Sequence, residues 1–321
     1  MTTLSAAGTV SGSIDRSLQR HGRDWKGDAF MVALLGALLT ALAFLVVLLG
    51  TIMSDGLGVY TDRGASFLTS GLSRSVDKAG IWQGIRGSLI ITAIVAVVAF
   101  PLGIATAVYL EEYATDNRFT RFVSLNIRNL AGVPSVVYGL LGFSLFVKFL
   151  GNDLTDGGGL TGGRSVISAG LTMAVLVLPL VIITTTEALR AVPQTLREGA
   201  IGIGATRWDT VRTMVLPNAS PGILTGIVLT ISRAIGETAP LLLVGGVTGF
   251  LSSGNQSMFE QLRGGFTALP LIVFRWSKEP KADFREALAP AAIIALLIVT
   301  LACNTIAIVL RNRFERRQQR V

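Results

Sequence analysis

Histidine, cysteine and charged residues are scarce in this 321-residue chain. Charged residues make up 15% of it, and it contains one histidine, His21, and one cysteine, Cys303. A single cysteine excludes a disulfide framework, and one histidine with one cysteine cannot build a zinc site of the usual kind. The same counts exclude a Ser-His-Asp or Cys-His catalytic group, because His21 lies in a polar terminal segment. We therefore predict neither a catalytic residue nor a metal site.

Hydrophobic residues make up half of the chain, and the mean hydropathy is +0.60. A run of about 20 apolar residues is long enough for a helix to cross a bilayer. Six such runs predict an all-α membrane protein with six transmembrane helices. They are residues 29–54, 87–110, 129–147, 165–186, 221–250 and 287–310. The second to fifth runs contain Pro101, Pro134, Pro179 and Pro240, which is compatible with a transport pathway and equally with kinks for packing.

The net charge of +8 is concentrated at the ends of the apolar runs. This distribution indicates membrane topology rather than a nucleic-acid surface, and it predicts that both termini are cytoplasmic. Residues 115–130 mix arginine with large apolar residues and predict an interfacial helix that enters the third span. The predicted outer loop 251–285 is an exception to the charge rule, because it holds five basic residues.

A polar segment at residues 198–217, EGAIGIGATRWDTVRTMVLP, separates the fourth and fifth runs. Pro193 can open a helix, and Gly204 can end it with a positive φ. Thr206 can cap a second short helix, with Asp209 as its capping-box partner. These signals predict a helix-turn-helix bracket.

The bracket is predicted to offer Glu198 and a small apolar face to a partner. The apolar residues at helical spacing are Leu196, Ala200 and Ile203. Pro217 and Pro221 are predicted to redirect the chain into the fifth span. From these residues alone, a surface hairpin without a partner is the favoured explanation of the segment.

Arg233 and Glu237 interrupt the fifth apolar run. They are four residues apart, which would place them on one face of a helix. Arg233 follows Pro221 by twelve residues, or about 18 Å of helix, which predicts a position near the membrane midplane. Charges at that depth are costly and usually face a cavity or a partner. We predict that the pair lines a substrate pathway, with a structural ion pair as the alternative.

Residues 158–165, GGLTGGRS, imitate a phosphate-binding loop with arginine in place of lysine. A functional loop of that kind follows a buried strand, whereas this one joins two predicted spans on the outer side. We therefore predict that the chain holds no nucleotide site and is not an enzyme by itself.

The bracket resembles the cytoplasmic coupling motif of bacterial ABC importer permeases. The matching residues are Glu198, Ala200, Gly204, Leu216 and Pro217. The sequence departs from the motif at Gly199, where alanine is usual, and at Met214, where isoleucine is usual. The resemblance implies that this segment packs into a cleft of an ATPase subunit and transmits its movement to the membrane helices.

Three further stretches resemble the signature of phosphate importer permeases. They are residues 130–141, LAGVPSVVYGLL, residues 233–242, RAIGETAPLL, and residues 269–276, LPLIVFRW. Glu-Thr-Ala-Pro at 237–240 favours the PstA-type over the PstC-type half of these transporters. The resemblance covers residues 84–312, whereas residues 1–83 and 250–265 match nothing in the pattern.

The resemblance implies a type I ABC importer permease in the bacterial inner membrane, which moves inorganic phosphate. Implied partners are a PstC-type permease, two ATPase subunits that bind ATP and Mg, a periplasmic or lipid-anchored phosphate-binding protein, and membrane lipids. It implies no nucleic acid and no cofactor in this chain. The implied divisions are a tail 1–28, a first helix with periplasmic segment 29–83, a transmembrane domain 84–312 containing the coupling loop 193–220, and a basic tail 313–321.

Two other functions fit part of the sequence. One is a permease for another oxyanion, such as sulfate or molybdate. The other is a secondary anion transporter, which would not need the coupling bracket and often shows inverted repeats.

Overall fold

The computed structural model describes residues 25–151, 159–246 and 262–318, with side chains to residue 313. Its contacts divide the chain into two compact units, residues 1–51 and 52–321. Within the described ranges the secondary structure is helical, without a β-strand.

The main α-helices follow one another along the chain. They are α1 (Trp25–Arg63), α2 (Ala65–Thr69), α3 (Trp82–Val108), α4 (Arg118–Ala131), α5 (Ser135–Gly142), α6 (Val166–Arg190), α7 (Gln194–Gly202), α8 (Arg207–Thr210), α9 (Leu216–Gly236), α10 (Ala239–Val244), α11 (Leu269–Trp276) and α12 (Ala289–Gln318). Short π-helical segments continue or precede four of them, at Tyr109–Tyr113, Phe143–Phe149, Val211–Val215 and Phe284–Leu288.

Helices long and apolar enough to cross a membrane account for most of the described chain. Five qualify as single spans: Trp25–Arg63, Trp82–Tyr113, Val166–Arg190, Arg207–Gly236 and Phe284–Arg313. A sixth forms if the pair α4 and Ser135–Phe149 counts as one broken span, since the two are bent by 103°. The all-α, six-span prediction is confirmed on that count, but the third run is not one straight helix.

The prolines explain where helices break and where they continue. Pro101 and Pro179 lie inside α3 and α6. Pro134 is instead the N-cap of α5, and Pro240 lies in the first turn of α10. At these two positions the missing N–H is harmless, because the first N–H groups of a helix have no intrahelical partner.

The region between the first two spans is packed, although its sequence matched no pattern. Phe67 in α2 is fully buried, and its ring lies 5.5 Å from that of Tyr60 and 6.3 Å from that of Trp276. The Tyr60 hydroxyl donates to the Ala291 carbonyl at 2.7 Å. Residues from 59 onward therefore fasten the end of α1 to α11 and α12.

Within the residues that the structure describes, the predicted outer loop 251–285 is partly helical. It contains α11, and the apolar side chains of that helix pack into the same cluster as Phe67. Leu269, Leu271 and Ile272 are buried. The sequence analysis missed this apolar helix because charged residues surround it. Its eight residues are also too few for a membrane-spanning run.

Candidate functional site

The predicted helix-turn-helix bracket is present at residues 194–210. Pro193 is the N-cap of α7, one residue before the predicted position. Gly204 has a φ of 92°, which confirms the prediction that a glycine ends this helix with a positive φ. Thr206 caps α8, because its hydroxyl accepts from the Asp209 backbone N–H at 3.2 Å. The local signals in the sequence therefore predicted the turn correctly.

The predicted coupling residues occupy different environments. Glu198 is exposed on α7, and Gly204 is exposed at the turn. Ala200 is buried against the chain itself, while Leu216 and Pro217 are half-buried in the first turn of α9. Glu198 and the turn are thus available to a partner, whereas the other three residues are partly or fully buried.

The predicted apolar face of the bracket is only partly correct. Leu196 and Ile203 are exposed, but Ala200 faces inward. Ile201 and Trp208 are exposed instead and enlarge the apolar surface that the bracket presents. In the sequence, the signal for this surface was a tryptophan, Trp208, within an otherwise polar segment.

The prediction that Pro217 and Pro221 redirect the chain is wrong. The helix continues without interruption from Arg207 to Gly236. Pro221 has no N–H to donate to the Pro217 carbonyl, and the Ser220 hydroxyl donates to that carbonyl at 2.8 Å. Side-chain donors of this kind allow membrane helices to pass through proline. The second arm of the bracket and the fifth span are therefore one helix.

The fifth span breaks after Gly236, although the sequence predicted that Arg233 and Glu237 lie on one continuous helix. Arg233 lies in the last turn of α9, and Glu237 follows the helix end with an extended backbone at φ −74° and ψ 124°. Pro240, four residues after Gly236, cannot donate to the Gly236 carbonyl, which ends the helix there. The prediction of one helical face is wrong for this reason.

Arg233 and Glu237 nevertheless form an ion pair. Arg233 Nε lies 3.4 Å from Glu237 Oε1, and the two side chains are 47% and 19% exposed. The positive charge therefore remains accessible on one side while the carboxylate holds it on the other. The structure contains no membrane, so the predicted midplane depth stays a prediction.

Two of the stretches that carry the phosphate-permease resemblance meet at this break. Gly139 of α5 packs on α10 so closely that a Cβ atom there would lie 2.9 Å from Pro240 Cα. The Tyr138 hydroxyl donates to the Leu130 carbonyl at 2.8 Å and so bridges the break between α4 and α5. The two broken segments thus meet beside the end of α9, where Arg233 lies.

A polar contact ties this region to the last span. The Ser232 hydroxyl lies 2.8 Å from Asn304 Oδ1 on α12. Ser232 precedes Arg233, so the contact fixes the last turn of α9 against α12. Sequence reasoning missed its partner, because the two residues are 72 positions apart.

Comparison with known proteins gives a family and several relatives. A family model described as "Binding-protein-dependent transport system inner membrane component" matches residues 99–320. The chain is 36% identical over 241 residues to "Phosphate transport system permease protein PstA 1" of Mycobacterium tuberculosis, covering 75% of this chain and 72% of that protein. It is 31% identical over 239 residues to "Phosphate transport system permease protein PstA" of Xylella fastidiosa, covering 74% and 77%.

Solved structures share the architecture at low sequence identity. A bacterial ABC transporter involved in the import of the acidic polysaccharide alginate matches with a TM-score of 0.59 and 16% identity, covering 93% of this chain and 99% of that one. The inward-facing MetNI methionine ABC transporter matches with a TM-score of 0.53 and 18% identity, covering 73% and 97%. At these identities the likeness concerns the fold alone.

Proposed function

The chain belongs to the family of binding-protein-dependent transport system inner membrane components, and on that premise we propose that it is the PstA-type permease subunit of an ATP-driven importer of inorganic phosphate. One observation carries the proposal: 36% identity to a phosphate transport permease over about three quarters of both chains. It is a multi-pass inner-membrane protein with the fold of type I ABC importer permeases.

Family membership also distinguishes an ATP-driven importer from a secondary anion transporter, the alternative that the sequence left open. A secondary transporter needs no coupling bracket, whereas this chain has one at residues 194–210 and belongs to an ATP-coupled family. A permease for sulfate or molybdate would have the same fold, so anion selectivity depends on the site around Arg233.

We assign the anion-binding role to Arg233. An arginine guanidinium presents a planar fork of donors that matches two phosphate oxygens. Its side chain is 47% exposed, so an anion can reach it beside the Glu237 carboxylate. Glu237 orients the guanidinium, or its carboxylate accepts a hydrogen bond from the protonated oxygen of hydrogen phosphate during passage. The chain supplies half of the pathway, and a PstC-type permease supplies the other half.

The bracket is the docking surface for an ATPase subunit. Glu198, Ile203 and Trp208 are exposed there, and each permease of the pair receives one of two ATPase subunits, which bind ATP and Mg. A phosphate-binding protein delivers the anion from the opposite side. Both termini lie on the ATPase side of the membrane. Closure of the ATPases moves the brackets together and opens the pathway outward.

Stimulation of ATP hydrolysis by the loaded binding protein tests this assignment. The complete complex in lipid nanodiscs is expected to hydrolyse ATP faster when phosphate-loaded binding protein is added. Glu198→Ala is expected to assemble, because Glu198 is exposed, but to lose most of that stimulation. Full stimulation in Glu198→Ala would remove Glu198 from the docking role.

A further inference from the structure

Two neighbouring carboxylates at the end of α3 each hold an arginine from a distant part of the chain. Glu111 and Glu112 lie in the π-helical segment Tyr109–Tyr113. Arg190 Nε lies 3.0 and 2.9 Å from the two oxygens of Glu111. Arg197 donates to Glu112 Oε1 from Nη2 at 2.9 Å and from Nε at 3.3 Å. None of these four residues belongs to the coupling motif or to the site around Arg233.

The Arg197 pair is more buried and more extensively bonded than the Arg190 pair. Arg197 and Glu112 are 14% and 11% exposed, against 55% and 21% for Arg190 and Glu111. Arg197 also donates from Nη1 to the Val192 carbonyl at 2.7 Å and from Nη2 to the Leu189 carbonyl at 2.8 Å. One guanidinium thus satisfies a carboxylate after α3 and two carbonyls at the end of α6.

Arg197 belongs to α7, the first arm of the bracket, and precedes Glu198 directly. Within α7 only Ala200 is buried. The helix therefore has little apolar packing to hold it against the membrane helices. The bonds of Arg197 are its strongest polar connection to α3 and α6 in the described chain, because bonds to charged groups exceed neutral ones in strength.

Stability alone is a weak reason for this arrangement. Burying a pair of charges costs desolvation energy that their attraction repays only partly, and an apolar pair often stabilises a protein as well. A fixed geometry between three helices is what the charged pair adds here, since a guanidinium directs its donors along set directions.

We propose that Arg197 is the positioning residue that transmits movement of α7 to α3 and α6. The proposal rests on the proposed function, in which an ATPase subunit moves the bracket. When α7 shifts, the bond to Glu112 moves the end of α3, and the bonds to Leu189 and Val192 move the end of α6. Without Arg197 the bracket still docks through Glu198, but its first arm moves independently of those two spans.

The test measures phosphate uptake and ATP hydrolysis in the same proteoliposomes, using the complete complex. In Arg197→Gln we expect phosphate transported per ATP hydrolysed to fall about tenfold, within the range typical of coupling between sites. Arg197→Lys retains a charge beside Glu112 and is expected to recover part of the ratio. Arg190→Gln, at the more exposed pair seven residues earlier in the chain, is the matched control and is expected to leave the ratio unchanged.

Each outcome decides between the assignments. An unchanged ratio in Arg197→Gln, or uptake and hydrolysis that fall in parallel, would overturn the transmission role. If Arg197→Gln does not assemble, the ratio is read in Glu112→Ala, which removes the acceptor for Arg197 after α3, and an unchanged ratio there overturns the role equally. Absence of phosphate uptake by the wild-type complex would instead contradict the proposed function.

Discussion

Arg233 is stabilised by its position as well as by its partner. It lies in the last turn of α9, where the free carbonyls give the helix end a partial negative charge. Glu237 adds a full negative charge with Oε1 at 3.4 Å from Arg233 Nε. The half-exposed guanidinium is therefore held in place before an anion arrives. In the proposed binding of phosphate, this cation therefore needs no prior reorganisation.

Substitution of Arg233 tests the anion-binding role. Arg233→Gln is expected to abolish phosphate uptake while the complex still assembles and hydrolyses ATP, because the neutral amide cannot balance the anion. Arg233→Lys is expected to transport poorly, since it keeps the charge and loses the planar fork. Uptake of radiolabelled phosphate, at matched expression, measures both effects.

The double change Arg233→Leu with Glu237→Leu separates this role from a structural one. Removal of both charges of a pair is often neutral for folding, so a purely structural pair predicts normal transport in the double variant. We expect that variant to assemble and to transport no phosphate. Uptake near the wild-type rate would remove Arg233 from the pathway.

The element that connects the bracket to this site is the helix from Arg207 to Gly236. Its 30 residues measure about 45 Å, with Trp208 near one end and Arg233 near the other. Displacement of the bracket therefore moves the last turn of α9 directly. The turn at Gly204 separates the first arm of the bracket from this helix.

Gly204 can be compared with Gly199 in the same bracket. Gly204→Ala is expected to destabilise the turn by roughly 1–2 kcal/mol, because an alanine Cβ is strained at a φ of 92°. Gly199→Ala is the matched control: it lies in α7 with no atom within 4 Å of an added Cβ, and alanine is the better helix former. Thermal unfolding of the complex and stimulated ATP hydrolysis are the measurements. Equal behaviour of the two variants would contradict the conformational role of Gly204.

Across the whole molecule, the features that the sequence predicted correctly are those that residues close together in the chain determine. Apolar runs located the spans, and Thr206 with Gly204 located the bracket, because composition and local backbone preferences determine these features. The break after Gly236 was not predicted from Pro240 alone. The packing of α10 on Gly139, which accompanies this break, joins residues far apart in the sequence. The pair of Arg197 with Glu112 joins residues 85 positions apart, which no local pattern can place.

Labelling of introduced cysteines tests the orientation of the whole molecule. In a Cys303→Ser background, Leu160→Cys is expected to react with an impermeant thiol reagent from outside intact cells, since Leu160 is 79% exposed. Thr213→Cys, at an exposed position three residues after the bracket, is expected to react only after permeabilisation. The reverse pattern would place the bracket on the wrong side of the membrane for an ATPase.

Phosphate uptake by reconstituted vesicles tests the central claim most directly. The complete complex is placed in proteoliposomes loaded with ATP and Mg, and radiolabelled phosphate is added outside with the binding protein. We predict uptake that requires both ATP and the binding protein and that excess sulfate or molybdate does not reduce. Uptake that proceeds without ATP, or that sulfate or molybdate suppresses as well as unlabelled phosphate does, would contradict assignment of this chain to an ATP-driven phosphate importer.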